Sequence, residues 1–423
     1  MGSPKVTAGT AAAFGGVSDT LTALGIPCAC CDDGPSGMRL DCGTKAFSLP
    51  NGTLLASTFD RPLMTELFTF MGLEMHTNQV DCLLGPGMNI HRHPLNGRNF
   101  EYFSEDPYLT GEMASAELAG LHSTGAEGTI KHFCGNNRET RRHFLDSVIS
   151  ERALREIYLR GFEKAVKKGG AKSVMTTYGQ VNGVWTAGNY DLVTGILRDD
   201  WGFDGFTMTD WWANINRRGK APDKSDFAAM AMAQNDVYMV TADGAACNDN
   251  TLDSLKSGEL TRGELQRNAM NILRFLTTTH AMKRVMGCDD ETEIINRPAD
   301  AGDVDSTDIE FHDIDEDLTL DLTGITTEKG SSYAFGLNVS KPGVYKVTLT
   351  ASSTLSELAQ TSVSIFALGS PCGMFTFNGT GGAPVSQTKD VKFLSNFMPI
   401  RLYFGGSGLK TQSIRFELKE RWT

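Results

Sequence analysis

The stretch that decides the fold is Gly202-Phe203-Asp204-Gly205-Phe206-Thr207-Met208-Thr209-Asp210-Trp211-Trp212. Its glycines predict a turn, and residues 206–208 predict a short apolar strand that ends just before a carboxylate and two indoles. In a barrel of alternating strands and helices, catalytic groups lie at the carboxyl ends of the strands. Taken alone, Asp210 is more simply interpreted as a cap of the following helix, so the rest of the chain has to decide.

The part of the chain before residue 288 alternates between strand-like and helix-like segments. Short apolar runs predict strands at 26–31, 81–84, 128–133, 173–177, 206–208 and 236–240, and residues 1–23 predict an irregular lead-in. Helical periodicity lies between the strands, at 63–77, 110–123, 150–168, 192–200 and 260–282. This alternation is typical of parallel βαβ units and favours an α/β fold, a (β/α)8-type TIM barrel that is complete or incomplete. The rival is a doubly wound sheet, whose nucleotide-binding version is excluded because no G-x-G-x-x-G follows the first strand.

The pattern changes towards the carboxyl terminus. Between Asp289 and Asp321 fourteen acids face a single base, Arg297, which predicts a solvated acidic linker. Beyond it, period-two alternation predicts six strands, at 333–335, 343–349, 361–368, 391–393, 400–404 and 413–418. Short strands with glycine-rich turns indicate a β-sandwich of the jelly-roll type. We therefore predict a barrel at 1–287, a linker at 288–322 and a β-sandwich domain at 323–423.

Composition excludes several classes of protein. The net charge is −12 and no basic face exists for nucleic acid. No apolar run approaches the ~20 residues of a membrane helix, and no charged and then apolar leader marks the chain for export. The nine cysteines lack metal-type or disulfide-type pairing, and His91 and His93 have no third ligand. We predict a cytoplasmic protein without a metal or other cofactor.

Polar side chains recur at the ends of the predicted strands. They are Asp33, Arg92 and Arg98, Lys131 and His132, Met175 and Tyr178, and Asp210 with Trp211. Such a set can bind vicinal hydroxyls and stack on the apolar face of a sugar. Each has a structural alternative, since Arg98 could pair with Glu101 or Glu105 and His132 could be a satisfied core histidine. Lys131 is harder to explain that way, because a lysine in an apolar strand is rarely buried without a partner.

Several longer motifs occur in a fixed order over roughly residues 24–280. They are Asp33-Gly34-Pro35-Ser36-Gly37-Met38-Arg39, Gly97-Arg98-Asn99-Phe100-Glu101-Tyr102-Phe103-Ser104-Glu105-Asp106-Pro107, Lys131-His132-Phe133, Val174-Met175-Thr176-Thr177-Tyr178 with Asn182-Gly183, and the stretch that ends in Thr209-Asp210-Trp211. With these motifs the chain resembles glycoside hydrolase family 3 of the β-glucosidase type.

The resemblance implies a role for each motif. Asp210 would be the nucleophile of a retaining mechanism that passes through a glycosyl-enzyme. Tyr178 would lie against the nucleophile, with Met175 and Trp211 lining the sugar ring. The hydroxyls of the sugar would be held by Asp33, Arg98, Lys131, His132 and Arg142, with Arg39 beside them.

Two departures from the family pattern matter. Lys131-His132-Phe133 continues with Cys134-Gly135-Asn136-Asn137 instead of the P-G-H-G-D of the N-acetylglucosaminidase branch, which favours the glucosidase branch. Family β-glucosidases take their acid/base glutamate from a separate α/β sandwich domain, and none is readable in this sequence. The chain resembles the second half of a domain-inverted bacterial member, with Met1 not necessarily the natural start. Glu101, Glu139 and Glu151 are the nearby carboxyls, each better explained as a structural partner.

The sequence therefore predicts the nucleophile-bearing barrel of an exo-acting β-glucosidase. Its partners would be a β-glucoside or short oligosaccharide and a missing α/β sandwich domain or chain, and a homo-oligomer is left open. The β-sandwich would pack on the barrel or bind sugar. The alternatives are a non-catalytic sugar-binding protein and a retaining glycosidase of other specificity, such as a β-xylosidase.

Overall fold

The computed structural model describes residues 11–39, 46–239, 249–288, 309–367, 370–393 and 396–421. These residues divide into two compact units, the first ending with residue 288 and the second beginning with residue 309. Each unit has its own apolar core.

The first unit is built on a curled six-stranded sheet with the strand order β1-β2-β3-β4-β6-β9. β1 pairs antiparallel with β2, and the remaining neighbours are parallel. A small separate sheet contains β5, β7 and β8. The strands are β1 Ala12–Gly15, β2 Cys28–Asp33, β3 Cys82–Leu84, β4 Glu127–Phe133, β5 Asp146–Ser147, β6 Ser173–Thr176, β7 Gln180–Val181, β8 Val184–Trp185 and β9 Phe206–Met208.

The order of the parallel strands separates the two predicted architectures. β2, β3, β4, β6 and β9 lie side by side in chain order. A doubly wound sheet reverses its strand order at a switch point, and this sheet does not. Parallel pairing continues past β9 through a bridge between Met208 and Val237, within the predicted strand 236–240. Residue 240 lies outside the described residues. The described sheet is thus an α/β sheet that curls in one direction.

Helices alternate with these strands, as the periodicity predicted. Most begin at a side-chain cap; Asp60 caps α3 and Thr261 forms a capping box with Glu264 at the start of α9. The helices are α1 Asp19–Ala23, α2 Gly52–Ala56, α3 Arg61–Thr77, α4 Pro107–His122, α5 Glu151–Ala153, α6 Arg160–Lys167, α7 Phe227–Met232, α8 Thr251–Ser257, α9 Arg262–Leu276 and α10 His280–Val285.

Some local predictions are wrong. Residues 1–23 were expected to be irregular, but β1 and α1 lie in this segment; small residues such as Ala12 and Ala13 pack in strand form against β2. The helices predicted at 150–168 and 192–200 are present, but the first contains a π-helical turn, Leu154–Tyr158, and the second, Asp191–Asp200, is π-helical. α7 and α8 were not predicted. Within the described residues, no helix is long and apolar enough to cross a membrane.

The second unit consists of two sheets that share one apolar cluster. Their orders are β10-β12-β17-β14-β15 and β11-β18-β13-β16. Phe335, Val363 and Phe375 of the first sheet lie in the same cluster as Val347 and Phe416 of the second. The strands are β10 Phe311–Ile314, β11 Asp317–Asp321, β12 Ser332–Val339, β13 Gly343–Ser353, β14 Gln360–Ala367, β15 Ser370–Asn378, β16 Val385–Phe393, β17 Phe397–Phe404 and β18 Leu409–Arg421.

The predicted acidic linker at 288–322 contains two of these strands, so the linker prediction is wrong for residues 311–321. In β11, Leu318 and Leu320 pack partly against the apolar cluster, while Asp317, Thr319 and Asp321 are exposed. Asp317 accepts a hydrogen bond from Arg415 Nε at 3.2 Å on the neighbouring β18. In this segment the many acidic residues suggested a linker, although exposed and partly buried residues alternate with the period of two that is typical of a strand. Residues 289–308 lie outside the described residues.

Candidate active site

The predicted site residues come together because their strands are parallel neighbours. Asp33 ends β2, Lys131 and His132 lie near the end of β4, Met175 lies in β6, and Asp210 follows β9 by two residues. The carboxyl ends of parallel strands meet at one edge of a sheet. This edge therefore collects the charged groups that the sequence singled out.

Asp33 is held by two cations. Lys131 Nζ donates to Asp33 Oδ1 at 2.9 Å, and the Arg39 guanidinium lies 3.3 Å from Oδ2. Lys131 is only 3% exposed, so the expectation that it needs a partner is confirmed. Burial alone would raise the pKa of Asp33, but the charge and hydrogen bond of Lys131, helped by the charges of Arg39 and Arg98, lower it to about 2.

This ion pair predicts a pH-dependent contribution to stability. Because the folded-state pKa of Asp33 lies below its ordinary value of 3.8, its contribution is present above pH ~4 and is lost as the pH falls towards 2. We expect Asp33→Asn to lower the free energy of unfolding at pH 6 and to have a much smaller effect near pH 2.5. Urea titrations at the two pH values check this. The exposed Asp253→Asn is the control, and a pH-independent Asp33→Asn effect would contradict the assignment.

Arg98 is a structural partner as well as a site residue. Its Nε donates to Glu101 Oε1, as the structural alternative proposed, and Glu101 Oε2 lies 4.0 Å from Lys131 Nζ. Burial disfavours the charge of Arg98, but Tyr102, Glu101 and Asp210 together raise its pKa above the ordinary value. Arg98 therefore stays charged in a largely buried position and adds positive potential at Asp210.

Asp210 is buried and keeps one carboxylate oxygen uncommitted. Oδ1 accepts a hydrogen bond from the Trp211 backbone amide at 2.8 Å. Oδ2 has no hydrogen-bond partner among the described residues, and His132 Nε2 lies 3.7 Å from it. Burial raises the pKa of Asp210, while the charge of Arg98, the Trp211 amide, the charge of Lys131 and the nearby Tyr178 hydroxyl act in the opposite direction. An oxygen with this environment is available to react with a ligand.

His132 is fully buried and fixed at both its backbone and its ring. Its backbone N–H donates to Asn89 Oδ1 at 2.9 Å, and Asn89 Nδ2 donates to its carbonyl at 2.9 Å. Ring Nδ1 lies 3.2 Å from the Tyr102 hydroxyl. Burial, followed by the charges of Arg98 and Lys131, holds the pKa of His132 well below its ordinary value. The imidazole is thus neutral and its second nitrogen faces Asp210.

Tyr178 and Arg142 form the opposite side of the cluster. The Arg142 guanidinium lies 4.5 Å from the centroid of the Tyr178 ring, and its Nη1 donates to Glu139 Oε2 at 2.9 Å. The His143 ring lies 4.0 Å from the Tyr178 ring. The Tyr178 hydroxyl lies close to Asp210, and burial, followed by the charge of that carboxylate, raises the pKa of Tyr178.

The remaining predicted residues lie in different surroundings. Trp211 is partly buried beside Asp210 and packs on an apolar cluster that includes Met175 and Met208. Met175 is 2% exposed, so its side chain belongs mainly to this cluster. Arg92 lies in the same loop as Arg98, but it is exposed and donates to the Tyr158 hydroxyl at 3.4 Å.

Sequence patterns missed the uncharged groups that support the site. Asn89 and Tyr102 contact His132 through their side chains, and Asn136 donates to the Tyr102 hydroxyl. Tyr102 and Asn136 lie within quoted stretches of sequence, whereas no quoted motif contains Asn89. Two cavities lie away from the candidate active-site residues. The cavity of ≈ 300 Å³ is lined by Val184, Gly188, Asn189, Tyr190, Asp191, Arg217, Arg218, Ala229, Met232 and Ala233. The cavity of ≈ 480 Å³ is lined by Asp313, Ile314, Asp315, Asn338, Val339, Ser340 and Asn396.

Comparison with known proteins shows the family of the chain. The model of the glycosyl hydrolase family 3 N-terminal domain matches residues 9–275. The chain belongs to glycosyl hydrolase family 3. It is 62% identical over 436 residues to a β-glucosidase of Ruminococcus albus, and 38% identical over 263 residues to the thermostable β-glucosidase B of Acetivibrio thermocellus.

Solved structures of β-glucosidases resemble the chain as well. A β-glucosidase of Paenibacillus barengoltzii is 45% identical with a TM-score of 0.65 and covers 98% of this chain. β-Glucosidase 3B of Thermotoga neapolitana, in complex with α-D-glucose, is 37% identical with a TM-score of 0.60 and covers 68% of this chain. The chain spans less than half of each relative: 46% and 33% of the two sequences, and 45% and 40% of the two structures.

Proposed function

We propose that this chain is the nucleophile-bearing part of a retaining exo-β-glucosidase that removes terminal β-D-glucosyl residues. The observation that carries the proposal is Asp210: a buried carboxylate whose Oδ2 has no hydrogen-bond partner among the described residues, in the field of the positive charges of Arg98 and Lys131. Membership of family 3 and similarity to proteins named β-glucosidases support the same reaction class. No cofactor takes part in the proposal.

In the proposed reaction Asp210 Oδ2 forms a bond to the anomeric carbon as the bond to the leaving oxygen breaks. Positive charge develops on the ring in this step, and the carboxylate stabilises it before closing to a glycosyl-enzyme. The charges of Arg98 and Lys131 favour the ionised carboxylate against the effect of burial. Water then attacks the same carbon from the face that the leaving group vacated, so two inversions retain the configuration.

The charged groups around Asp210 are proposed to hold the hydroxyls of the glucosyl ring. Asp33 would accept hydrogen bonds, and Lys131, Arg98, Arg142 and His132 would donate them. Charged hydrogen bonds in a buried site are strong, and fixing the ring before reaction can supply several kcal/mol of the barrier reduction. Arg39, Tyr178, Met175 and Trp211 would complete this shell.

The acid/base carboxyl is proposed to come from an α/β sandwich domain or chain outside this sequence. The three internal candidates already have partners. Glu101 pairs with Arg98, and Glu151 pairs with Arg155 in an exposed helix. Glu139 accepts hydrogen bonds from Arg142 at 2.9 Å and from an asparagine amide at 3.0 Å. These contacts favour structural roles for all three.

The architecture proposed around this site is a TIM barrel followed by a jelly-roll-like sandwich. The parallel strands lie side by side in the order in which they occur along the chain, which supports the barrel. Two sheets that share one apolar cluster support the sandwich. We propose that the sandwich has a packing role, since many of its described aromatic side chains, such as Phe335, Phe393 and Phe416, are buried in its own core, although Phe397 and Tyr403 are exposed.

A comparison of activated substrates tests the proposed function. We expect this chain to release dinitrophenol from 2,4-dinitrophenyl β-D-glucoside at least ~10-fold faster than from the β-D-xyloside, because the site then uses contacts to the C6 hydroxymethyl group. A faster reaction with the xyloside would indicate a β-xylosidase. Glucose binding without any release would indicate a sugar-binding protein.

Removal of Asp33 should weaken sugar binding and turnover together. A lost charged hydrogen bond typically costs about 1.5–3 kcal/mol, so we expect Asp33→Ala to raise the inhibition constant for glucose about 10- to 150-fold. The exposed Asp253→Ala is the matched control and should leave the constant unchanged. If glucose inhibits Asp33→Ala as well as it inhibits the unmodified chain, Asp33 belongs to the scaffold alone.

A further inference from the structure

A line of buried polar groups leads from Asn136 to Asp210. Asn136 Nδ2 donates to the Tyr102 hydroxyl oxygen at 3.0 Å, and that hydroxyl lies 3.2 Å from His132 Nδ1. On the other side of the ring, His132 Nε2 is 3.7 Å from Asp210 Oδ2. Asn136, Tyr102 and His132 are all buried, so water does not compete for these contacts.

The direction of this line is set at Asn136. Its Nδ2 also donates to Glu139 Oε1 at 3.0 Å, and Glu139 is paired with Arg142. A paired carboxylate only accepts hydrogen bonds, so this end of the Asn136 side chain must be the NH2 group. Both of its hydrogens are then used, one on Glu139 and one on Tyr102. The Tyr102 oxygen is therefore an acceptor towards Asn136.

Tyr102 has one hydrogen left to donate. Burial raises the pKa of Tyr102 above its ordinary value, so the phenol keeps its proton. Among the described residues, the hydrogen bonds of the Tyr102 hydroxyl involve Asn136 and His132 alone, which leaves His132 Nδ1 as the acceptor. A competing arrangement exists, because Asn89 Oδ1 lies 3.4 Å from the same nitrogen and would favour a proton on Nδ1.

We propose that Tyr102, aligned by Asn136, is a positioning residue that holds neutral His132 in the Nε2–H tautomer. A neutral imidazole carries one N–H, so an accepting Nδ1 places the hydrogen on Nε2. That N–H faces Asp210 Oδ2. The opposite tautomer would turn a lone pair of Nε2 towards the carboxylate oxygen, and the two would repel.

The tautomer matters for the proposed reaction, on which this consequence rests. A separation of 3.7 Å is too long for a hydrogen bond between His132 Nε2 and Asp210 Oδ2. The N–H thus remains available to a sugar hydroxyl beside the nucleophile. Without the Tyr102 hydroxyl, His132 should populate both tautomers, so that Nε2 is a hydrogen-bond donor in some molecules and an acceptor in others.

Nitrogen NMR of ¹⁵N-histidine-labelled protein at neutral pH tests the tautomer directly. The His132 signals are identified by their loss in His132→Gln. In the unmodified chain we expect Nε2 to show the shift of a protonated nitrogen and Nδ1 that of an unprotonated one. In Tyr102→Phe we expect the two shifts to move towards each other or exchange. A protonated Nδ1 in the unmodified chain, or identical spectra in both, would overturn the proposal.

Control variants separate positioning from general damage. Tyr345→Phe removes an equally buried hydroxyl, which donates to Lys341 O at 2.8 Å in the second unit, and should leave the His132 shifts unchanged. If Tyr102→Phe does not fold, Asn136→Ala replaces it; this variant should shift the same signals, and unchanged signals would overturn the proposal.

The rate of dinitrophenol release tests the proposed function, and the NMR spectrum tests the tautomer of His132 separately. We expect Tyr102→Phe to slow dinitrophenol release from the β-glucoside by about 10-fold with little change in KM, because the donor acts in the transition state. The spectra need no turnover. A correct tautomer in a chain without glucosidase activity would thus contradict the proposed function alone, and a wrong tautomer in an active chain would contradict this inference alone.

Discussion

Asp210→Asn is expected to lower the release of dinitrophenol from 2,4-dinitrophenyl β-D-glucoside on the order of 10⁴-fold or more. An amide cannot form the ester bond to the anomeric carbon, and it brings no charge to the developing cation. The replacement is nearly isosteric, and its Oδ1 can still accept the Trp211 amide, which lies at 2.8 Å in the structure. Glucose binding should therefore persist, since the surrounding hydroxyl contacts are intact.

Kinetics with the activated glucoside and calorimetric titration with glucose measure the two quantities separately. Asp253→Asn, an exposed replacement of the same type, is the control and should match the unmodified chain in both. A variant of Asp210 that keeps a tenth or more of the activity would remove it from the reaction. Loss of glucose binding together with activity would indicate instead that Asp210 mainly holds the pocket together.

The second large effect concerns the leaving group. General acid assistance contributes about 10²–10⁴-fold when the leaving group is a poor one such as a sugar alkoxide, and little for a dinitrophenolate. If the acid/base carboxyl lies outside this sequence, the chain alone should release dinitrophenol, with a burst if water attack is slow. It should leave cellobiose almost untouched. Adding the α/β domain as a separate chain should restore the cleavage of cellobiose.

Glu139 supplies the decisive variant for this experiment. If Glu139 were an internal acid, the chain would hydrolyse cellobiose by itself, and Glu139→Gln would remove that activity while sparing the dinitrophenyl substrate. With Glu139 in a structural role beside Arg142 and Asn136, Glu139→Gln should affect both substrates similarly. Brisk hydrolysis of cellobiose by the sequence-verified chain would decide against an external acid.

The parts of the fold that sequence predicted are those set by local signals. The strand at 206–208 is bounded by a glycine turn and by Asp210, and the structure has it at the same residues. Parallel strands in chain order then bring Asp33, Lys131 and His132 to one edge without further information. These three residues stand in or at the end of apolar runs, whereas Arg98 and Arg142 lie outside the strands.

The parts that sequence missed depend on tertiary contacts. The Tyr102 hydroxyl meets His132 across 30 positions of the chain, and no periodicity encodes that contact. The strand at Asp317–Asp321 was hidden by its charge, because one buried face needs only Leu318 and Leu320. Met175 stands in a family motif and is also buried in the apolar cluster with Met208. Position along the chain therefore predicts which strands meet at the sheet edge, but not the side-chain contacts between distant segments.

Trapping the covalent intermediate tests the role of Asp210 most directly. A 2-deoxy-2-fluoro-β-D-glucoside with a dinitrophenyl leaving group should inactivate the chain, because the fluorine slows water attack more than it prevents formation of the glycosyl-enzyme. Peptide mass spectrometry then locates the sugar. We expect one fluoroglucosyl group per chain, on the peptide that contains Asp210 and on that side chain. Inactivation with the sugar on Glu101, Glu139 or any other residue would contradict the assignment of Asp210 as the nucleophile.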